Sequence, residues 1–231
     1  MKRYLRVLCI FATLLISVTN SNCTTSCHAA EFGVYSETIP GCTLYDDPNA
    51  NSRIGTYSGG TSSIELYSDL DNKKEGSESM KVVIDVKPGG WAGSFVQWGV
   101  EWEREDITKD MSEYANGYLS FWVKTAIELK VGMRSGNIAP GSEKSEVNLS
   151  DYCSIDDQWH DVIIPMTVFK DKEPRLDFTR IKILFNVAID EGSAGTKNFW
   201  IDNVRWIPFY VGDISPNKGL NEGAKVGCPK M

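Results

Sequence analysis

Three tryptophans in a short segment are the residues of this sequence best suited to bind a ligand. Trp91, Trp98 and Trp102 lie among glycine, glutamine and charged residues in a 231-residue chain that has seven tryptophans. An indole offers a large, rigid apolar surface that can stack on the C–H face of a sugar ring. The alternative is a place in the hydrophobic core, which we expect instead for Trp122 and Trp159. The sequence therefore predicts an exposed aromatic surface at Trp91, Trp98 and Trp102.

Four polar residues could hydrogen-bond sugar hydroxyls beside such a surface. They are Gln97, Arg134, Tyr152 and Asn186. Asn186 interrupts an otherwise apolar stretch, and a polar side chain in a central strand must find a partner or face a groove. The alternative for each is a satisfied sheet residue or a surface group. We predict that these four residues bind a ligand together with the three tryptophans.

Alternating glutamates suggest a competing chemistry. Glu101, Glu103 and Glu105 would share one face of a strand, and retaining glycosidases use two carboxylates about 5 Å apart. However, Arg104 stands where an apolar core residue would be expected, so a solvated strand end is the favoured interpretation. The sequence also has no Gly-x-Ser-x-Gly motif. We therefore expect no catalytic residues, with a jelly-roll glycosidase that uses Glu101 and Glu105 kept as an alternative.

Short β-type segments must position these side chains. Stretches rich in valine, isoleucine and aromatic residues alternate with clusters of glycine, asparagine, aspartate and proline. Nine strands are predicted, at 62–67, 80–86, 94–102, 118–124, 128–134, 145–149, 160–165, 181–187 and 198–206. In the last of these, Trp200 and Trp206 should share one face. Residues 31–60 should wrap an edge, and 106–114 could form one helical turn. The pattern predicts an all-β fold, an antiparallel sandwich of the jelly-roll type with little or no helix.

The two ends of the chain differ from this domain. Residues 1–30 resemble a signal peptide, because Lys2, Arg3 and Arg6 precede a short apolar stretch and small residues end at Ala30. Lipidation at Cys23 is an alternative. Residues 212–231 are polar and predict a C-terminal tail, which leaves 31–211 as one domain. The expected location is secreted, periplasmic or at the cell surface, with no membrane span.

Charge and cysteine content narrow the partners. The formal net charge is −7, which disfavours nucleic acid because a negative surface repels phosphates. Cys42 and Cys228 lie near opposite ends of the predicted domain and tail, and domain termini are often close in space. We predict a disulfide between them, with Cys153 free. His160 is the single histidine beyond residue 30, so a transition-metal site is not expected.

The order of four motifs adds a family resemblance. The motifs lie at 74–82 (KEGSESMKV), 110–124, 159–165 (WHDVIIP) and 200–206 (WIDNVRW). Together they resemble the galactose-binding-like β-sandwiches of bacterial carbohydrate-binding modules, in particular family 11 and its relatives. The resemblance covers residues 62–206 and implies the same sandwich fold. It also implies carbohydrate binding, although a fold alone does not determine function.

The resemblance further implies a structural calcium ion at one edge of the sandwich. Carried over to this chain, the ligands would be Asp202 in the last strand, Glu65 in an early strand, and backbone carbonyls of the turn that contains Lys74 and Gly76. Such mixed oxygens suit calcium. The acidic N-terminal motif of the family is blurred here at 45–48. The alternative is an aspartate that accepts hydrogen bonds from loop amides without a metal.

Two functional hypotheses follow from these patterns, besides the glycosidase. The first is an exported, non-catalytic module that binds a β-glucan-like polysaccharide or a cell-surface glycan through its tryptophans. The second is a structural or adhesive protein of the cell envelope or a sheath, in which the same sandwich takes part in a protein assembly.

Overall fold

Two antiparallel sheets form the protein. The computed structural model describes residues 30–42, 49–101, 103–136, 144–189 and 195–209. The strands are β1 (Phe32–Tyr35), β2 (Ser52–Gly59), β3 (Ser63–Asp69), β4 (Ser79–Val86), β5 (Trp91–Trp98), β6 (Tyr118–Thr125), β7 (Lys130–Ser135), β8 (Lys144–Asn148), β9 (Trp159–Pro165), β10 (Ile181–Ile189) and β11 (Gly195–Ile207). One short helix, α1 (Met166–Lys172), follows β9. The all-β sandwich predicted from the sequence is confirmed.

The strand order separates the chain into two layers. Sheet A has the order β3-β4-β11-β6-β9, and β1 pairs with β11 beside this path. Sheet B has the order β2-β5-β10-β7-β8. Alternate side chains of each strand point inward, and these inner faces enclose one hydrophobic core. Each sheet therefore presents a second, outer face, and the candidate site lies on the outer face of sheet B.

Trp206 is the tryptophan of the core. It is fully buried, and its indole Nε1 donates a hydrogen bond of 3.0 Å to the carbonyl of Leu184 in the opposite sheet. A buried indole needs such an acceptor. The predictions of core positions for Trp122 and Trp159 are wrong. Both are only partly buried and lie outside the core cluster.

A bulge in β11 explains why Trp200 and Trp206 do not share a face. The pairing of β11 with β6 shifts register between Asp202 and Arg205, and Asn203 has a φ of 46°. One extra residue reverses the side-chain alternation beyond it. Trp206 consequently points into the core, whereas Trp200 lies on the outer face of sheet A.

Two strands were missed by the sequence patterns. β1 and β2 occupy the region expected to wrap an edge, and the other nine strands match the nine predicted segments. The helix α1 was also not predicted, while the helical turn expected at 106–114 is a single 3-10 turn, Ser112–Tyr114. β2 matters most, because it forms one wall of the candidate site.

The described residues leave some predictions untested. Most of the signal peptide, the tail, Trp102 and Cys228 lie outside them. Cys42 and Cys153 are not bonded to each other, so the pairing of Cys42 with Cys228 stays a prediction. In the part of the chain that the structure describes, no helix is long and apolar enough to cross a bilayer.

Candidate functional site

Glycine–aromatic pairs form one half of the outer face of sheet B. Antiparallel β2 and β5 place one glycine opposite one aromatic residue three times in succession. The pairs are Gly55 with Phe95, Gly93 with Tyr57, and Gly59 with Trp91. A Cβ atom on these glycines would lie 2.2 Å, 2.4 Å and 2.5 Å from the respective rings. Each ring therefore lies directly against the backbone of its glycine, where any larger residue would displace it.

The three rings form a continuous row. The Tyr57 centroid is 5.6 Å from that of Trp91 and 6.1 Å from that of Phe95, and the Tyr57 and Phe95 planes differ by 22°. Phe95 is buried, Tyr57 is partly buried, and Trp91 is 44% exposed. The exposed end of the row thus presents apolar ring surface to solvent, as stacking on a sugar requires.

A chain of hydrogen bonds crosses the sheet from this row. Tyr57 Oη donates to Asn186 Oδ1 at 2.7 Å, and Asn186 Nδ2 donates to Glu146 Oε1 at 2.8 Å. Lys144 Nζ lies 2.8 Å from the same Glu146 oxygen and 5.7 Å from the Tyr57 ring centroid. We call Tyr57, Asn186, Glu146 and Lys144 the polar chain. It satisfies the buried amide of Asn186, which the apolar strand β10 would otherwise leave unpaired.

The contact between Lys144 and Tyr57 also shows that this face is concave. β2 and β8 are the two edge strands of sheet B, four strand intervals apart. In a flat sheet they would be separated by about 19 Å. Side chains from both edges can meet only if the edges rise toward each other. The outer face of sheet B is therefore a groove, with aromatic rings on one side and charged groups on the other.

Arg134 and Gln97 lie at one end of the groove. Arg134 Nη2 contacts both oxygens of Glu105, at 2.7 and 2.9 Å, while its Nε is buried without a hydrogen-bond partner. Gln97 Nε2 donates to the carbonyl of Gly99 at 3.0 Å. The pair with Glu105 thus holds the Arg134 guanidinium at this end of the groove.

A buried lysine positions the loop at this end. Lys182 Nζ donates to the carbonyls of Trp98, Arg104 and Ile107 at 3.1, 2.8 and 3.3 Å. Burial lowers the pKa of Lys182, and the three carbonyls provide acceptors for its ammonium. Because Glu105 belongs to this loop, Lys182 indirectly fixes the carboxylate that holds Arg134.

The structure brings together four of the predicted ligand-binding residues. Trp91, Gln97, Arg134 and Asn186 all lie on strands of sheet B with the groove on their side. Trp98 does not belong to this group. Its side chain alternates to the opposite side of β5 and packs against the core, with Lys109 Nζ 4.7 Å above its ring. This corrects the single aromatic surface predicted from the sequence.

Tyr152 is also separate from the groove. It follows the 3-10 turn Leu149–Asp151 in the connection from β8 to β9, where it packs against the core. Because this connection leaves sheet B and leads into sheet A, Tyr152 does not extend the groove surface. The prediction that it joins the other polar residues is therefore wrong.

The alternating glutamates are not on a strand. β5 ends at Trp98, so Glu101 and Glu105 lie in the following loop. Glu105 is bound to Arg134, and Glu101 Oε2 lies 3.9 Å from Arg104. The carboxylate-bearing strand on which the glycosidase alternative depends is consequently absent from this segment as far as the structure describes it.

The predicted calcium ligands do not form one site. Asp202 Oδ2 accepts hydrogen bonds from the backbone amides of Lys74 and Glu75 at 2.7 and 2.8 Å. Lys74 therefore offers Asp202 an N–H donor, which is the opposite of the carbonyl oxygen that a metal would need. Burial raises the pKa of Asp202, partly offset by these amides. This is the amide-bound aspartate described above as the alternative.

Glu65 is too far away to share an ion with Asp202. It pairs through Val83 with Asn198, four residues before Asp202 on β11, which corresponds to about 13 Å along the strand. Gly76 does line a cavity of ≈ 90 Å³ beside Asp202 and Asn203, and Asn203 Oδ1 is buried there without a partner. Glu37, Glu75 and Glu78 line the same cavity. Among the described residues, no group of three acidic, histidine or cysteine side chains could hold a metal. Residues 45–48 lie outside the described part of the chain, and the calcium ion stays a prediction.

Sequence reasoning missed Tyr57, Glu146 and Lys144. A signal for Tyr57 was present in complementary spacing. Residues 55–59 read Gly-x-Tyr-x-Gly, and residues 91–95 read Trp-x-Gly-x-Phe. When two such strands pair in antiparallel register, every glycine faces a ring. Glu146 and Lys144 had no comparable signal, because their roles depend on the curvature of the sheet.

Comparison with known proteins agrees with this architecture. The solved structures that resemble the chain include a family 30 carbohydrate-binding module of a cellulosomal cellulase of Clostridium thermocellum, with a TM-score of 0.57 and 17% identity over 77% of this chain and 96% of that one. A family 11 module of the same organism, in complex with a β-1,3-1,4-mixed-linked tetrasaccharide, gives a TM-score of 0.54 and 18% identity over 78% and 97%.

A larger enzyme shares the fold over part of its length. The β-1,2-glucanase of Parabacteroides distasonis gives a TM-score of 0.53 and 15% identity, covering 78% of this chain and 26% of the enzyme. No curated protein matches the sequence. The model of carbohydrate binding domain 30 matches residues 43–208, which include ten of the eleven strands and every residue of the groove. The chain therefore belongs to the carbohydrate binding domain 30 family.

Proposed function

We propose that the groove on the outer face of sheet B is where this protein binds its carbohydrate, and that the ligand has a β-glucan-like backbone. The observation that carries the proposal is the row of three rings held against glycines, which ends at the exposed Trp91. An apolar aromatic surface beside hydrogen-bonding groups matches a pyranose, which has apolar C–H faces and polar hydroxyl groups. The mixed-linked tetrasaccharide in the complex of the family 11 module supplies a suitable first probe.

Each part of the groove has a separate role in this proposal. Trp91 stacks on a sugar ring, and Tyr57 extends the aromatic surface toward the centre of the groove. Asn186 and Glu146 orient Tyr57 through the polar chain. Arg134 supplies guanidinium donors for sugar oxygens, since Glu105 engages only its Nη2.

The proposal also includes a non-catalytic role and export by the segment 1–30. A non-catalytic role is supported by the position of Glu101 and Glu105 in a loop, where Glu105 is engaged by Arg134. Release of sugar from mixed-linkage glucan that is lost in a Glu105→Gln variant would contradict it. Export is tested by N-terminal sequencing of the protein recovered outside the cytoplasm, where we expect a new terminus near residue 31.

Affinity electrophoresis in mixed-linkage β-glucan gels, followed by calorimetric titration, tests the binding site. We expect Trp91→Ala to weaken binding by about 2 kcal/mol, roughly 30-fold, because an exposed stacking residue acts as a hot spot. Trp159→Ala, on the outer face of sheet A, is the matched control and should bind normally. Equal loss in both variants would contradict the location. No binding to any polysaccharide, together with self-association, would favour the structural role instead.

A further inference from the structure

Lys182 is the extra residue of a bulge in β10. Ile181 pairs with Ser135 of β7 and Ile183 pairs with Arg134, so β10 advances by two residues where β7 advances by one. Bulges redirect side chains and are common beside functional sites. Here the bulge coincides with a lysine side chain that is fully buried. Burial of an ammonium is costly unless hydrogen bonds compensate it, so its partners are informative.

Three backbone carbonyls surround the Lys182 ammonium. Its Nζ donates to the oxygens of Trp98, Arg104 and Ile107 at 3.1, 2.8 and 3.3 Å. Trp98 ends β5, and the other two residues belong to the 99–108 loop, of which the structure describes 99–101 and 103–108. An ammonium has three N–H donors. Lys182 can therefore use all of them to hold this loop against the end of the strand.

The 99–108 loop also packs closely against the end of β7. A Cβ atom on Gly136, which directly follows β7, would lie 2.8 Å from the carbonyl oxygen of Glu105 and 3.0 Å from Lys182 Cβ. Any side chain at this glycine would displace the loop. Glu103 and Arg104 are exposed, so the opposite side of the loop faces solvent. Lys182 thus fastens a surface loop to the sandwich from below.

The 99–108 loop presents one carboxylate to the groove. Glu105 accepts two hydrogen bonds from Arg134 Nη2, at 2.7 and 2.9 Å, and the Arg134 side chain is 19% exposed. Such charge-assisted contacts are strong and fix the orientation of a guanidinium. A continuous series of contacts therefore leads from the buried ammonium, through the loop backbone and Glu105, to the guanidinium that borders the groove.

We propose that Lys182 is a positioning residue for glycan binding, which holds the 99–108 loop so that Glu105 orients the Arg134 guanidinium for the sugar. This inference rests on the proposed function of the groove. Replacement of buried ionic groups by apolar residues of similar size often leaves a fold equally stable or more stable. Stability alone is therefore a poor reason to retain this ammonium. Preorganisation gives it a use, because the ligand does not have to order the loop on binding.

A double-mutant cycle tests the route through Arg134. Titration calorimetry of the full chain with a β-1,3-1,4-mixed-linked tetrasaccharide compares Lys182→Met, Arg134→Met and the double variant. We expect each single variant to weaken binding about ten-fold, the equivalent of one hydrogen bond from a charged group. The double variant should also lose only about ten-fold, because Lys182 acts through Arg134. Losses that multiply to about 100-fold would overturn the proposal.

Amide hydrogen exchange separates positioning from a general loss of structure. In Lys182→Met, the amides of Glu105 and Ile107 should exchange faster, because the loop that carries them is released. The amides of β6, in the opposite sheet, should keep their rates. Weaker binding with unchanged exchange in the loop would overturn the route through the loop. Faster exchange throughout both sheets would overturn the positioning role in favour of a structural one.

Two further variants control for this interpretation. Gly136→Ala displaces the 99–108 loop while Lys182 stays in place, so it should weaken binding by a similar factor and add nothing in combination with Arg134→Met. It keeps the proposal testable if Lys182→Met does not fold. Trp91→Ala alters the aromatic end of the groove, and its effect should multiply with that of Lys182→Met, as for independent sites.

The outcomes also separate this inference from the proposed function. Unchanged affinity in Lys182→Met or in Arg134→Met, with binding still weakened by Trp91→Ala, would overturn the inference and leave the groove as the glycan site. No binding of the tetrasaccharide or of mixed-linkage glucan by the unchanged protein would overturn both.

Discussion

The two outer faces of the sandwich use aromatic residues in opposite ways. On sheet A, one row across five strands alternates rings with lysines, in the order Tyr67, Lys81, Trp200, Lys124 and Trp159. On sheet B, rings alternate with glycines. Lys81 and Lys124 place their Nζ atoms 5.6 and 4.9 Å from the Trp200 ring, and Trp200 is only 9% exposed.

This difference shows that the cross-strand neighbour decides what an aromatic residue on a sheet can do. A lysine stem covers the ring beside it with apolar methylenes and a cation, so the ring becomes part of the protein's own surface layer. A glycine supports each ring of sheet B from below, and at Trp91, which is 44% exposed, the upper face stays open to solvent. We therefore expect the residues opposite each tryptophan, and not tryptophan content alone, to mark a binding face.

Removal of a covered ring should affect stability more than binding. We expect Trp200→Ala to lower the free energy of unfolding by about 3 kcal/mol, because it removes a nearly buried indole and its hydrogen bond to Asp69 Oδ2 at 2.8 Å. Glycan affinity should stay within two-fold of the original. Urea denaturation and calorimetric titration measure the two quantities. Loss of affinity without loss of stability would contradict the conclusion that rings on sheet A serve stability and not binding.

Addition of one methyl group should disturb an open ring. Gly93→Ala would place a Cβ 2.4 Å from the Tyr57 ring and 2.6 Å from the backbone oxygen of Val187. We expect a loss of about 2 kcal/mol in stability, because overpacking forces ring and backbone apart, and a weaker affinity for glucan. Ser58→Ala, at an exposed position of the neighbouring strand, is the control. Normal stability and affinity in Gly93→Ala would show that the glycine support is unnecessary.

Uncovering a ring on sheet A should have a smaller effect. Lys124→Gln removes the ammonium near Trp200 and should cost about 0.5–1 kcal/mol of stability, the value of a cation–π contact at a partly exposed site. Thermal denaturation measures it, with Lys197→Gln as the control. If Lys124→Gln also gained affinity for glucan, the lysine alone would account for the difference in glucan binding between the two outer faces.

The smallest effect concerns acid pH. The hydrogen bond from the Trp200 indole holds the pKa of Asp69 below its ordinary value of 3.8. An aspartate with a depressed folded-state pKa stabilises the fold above pH 3.8, and that contribution disappears as pH falls through the depressed value. We expect Asp69→Asn to flatten the loss of thermal stability below about pH 4. An unchanged slope would mean that this bond is not formed in solution.

The overall fold could be predicted because most strands have a clear alternation. β4 and β6 place apolar residues at every second position, as burial of one face requires. β2 could not be predicted in this way, because two of its eight residues are the glycines that seat Phe95 and Trp91. The orientation of Trp206 could not be predicted either, because the hydrophobic pattern does not reveal the bulge at Asn203.

The candidate site was predicted only where one strand was sufficient. Asn186 stood out because a polar residue interrupts an apolar strand. Trp91 stood out because it follows a glycine turn. The partners Tyr57 and Lys144 come from the two edge strands and meet across a concave surface. Their proximity depends on strand order and curvature, which the spacing of residues along a single segment does not contain.

The seating of the rings on glycines has a consequence for the thermodynamics of recognition. Because Tyr57 and Trp91 each have a backbone directly beneath them, much of their rotational freedom is already lost when the chain folds. Binding therefore does not have to freeze these side chains, a cost of roughly 0.5–1.5 kcal/mol for each rotamer-rich side chain that is immobilised on binding. Because its rings are held in place before the ligand arrives, the groove should favour stiff, repetitive polymers over flexible ones.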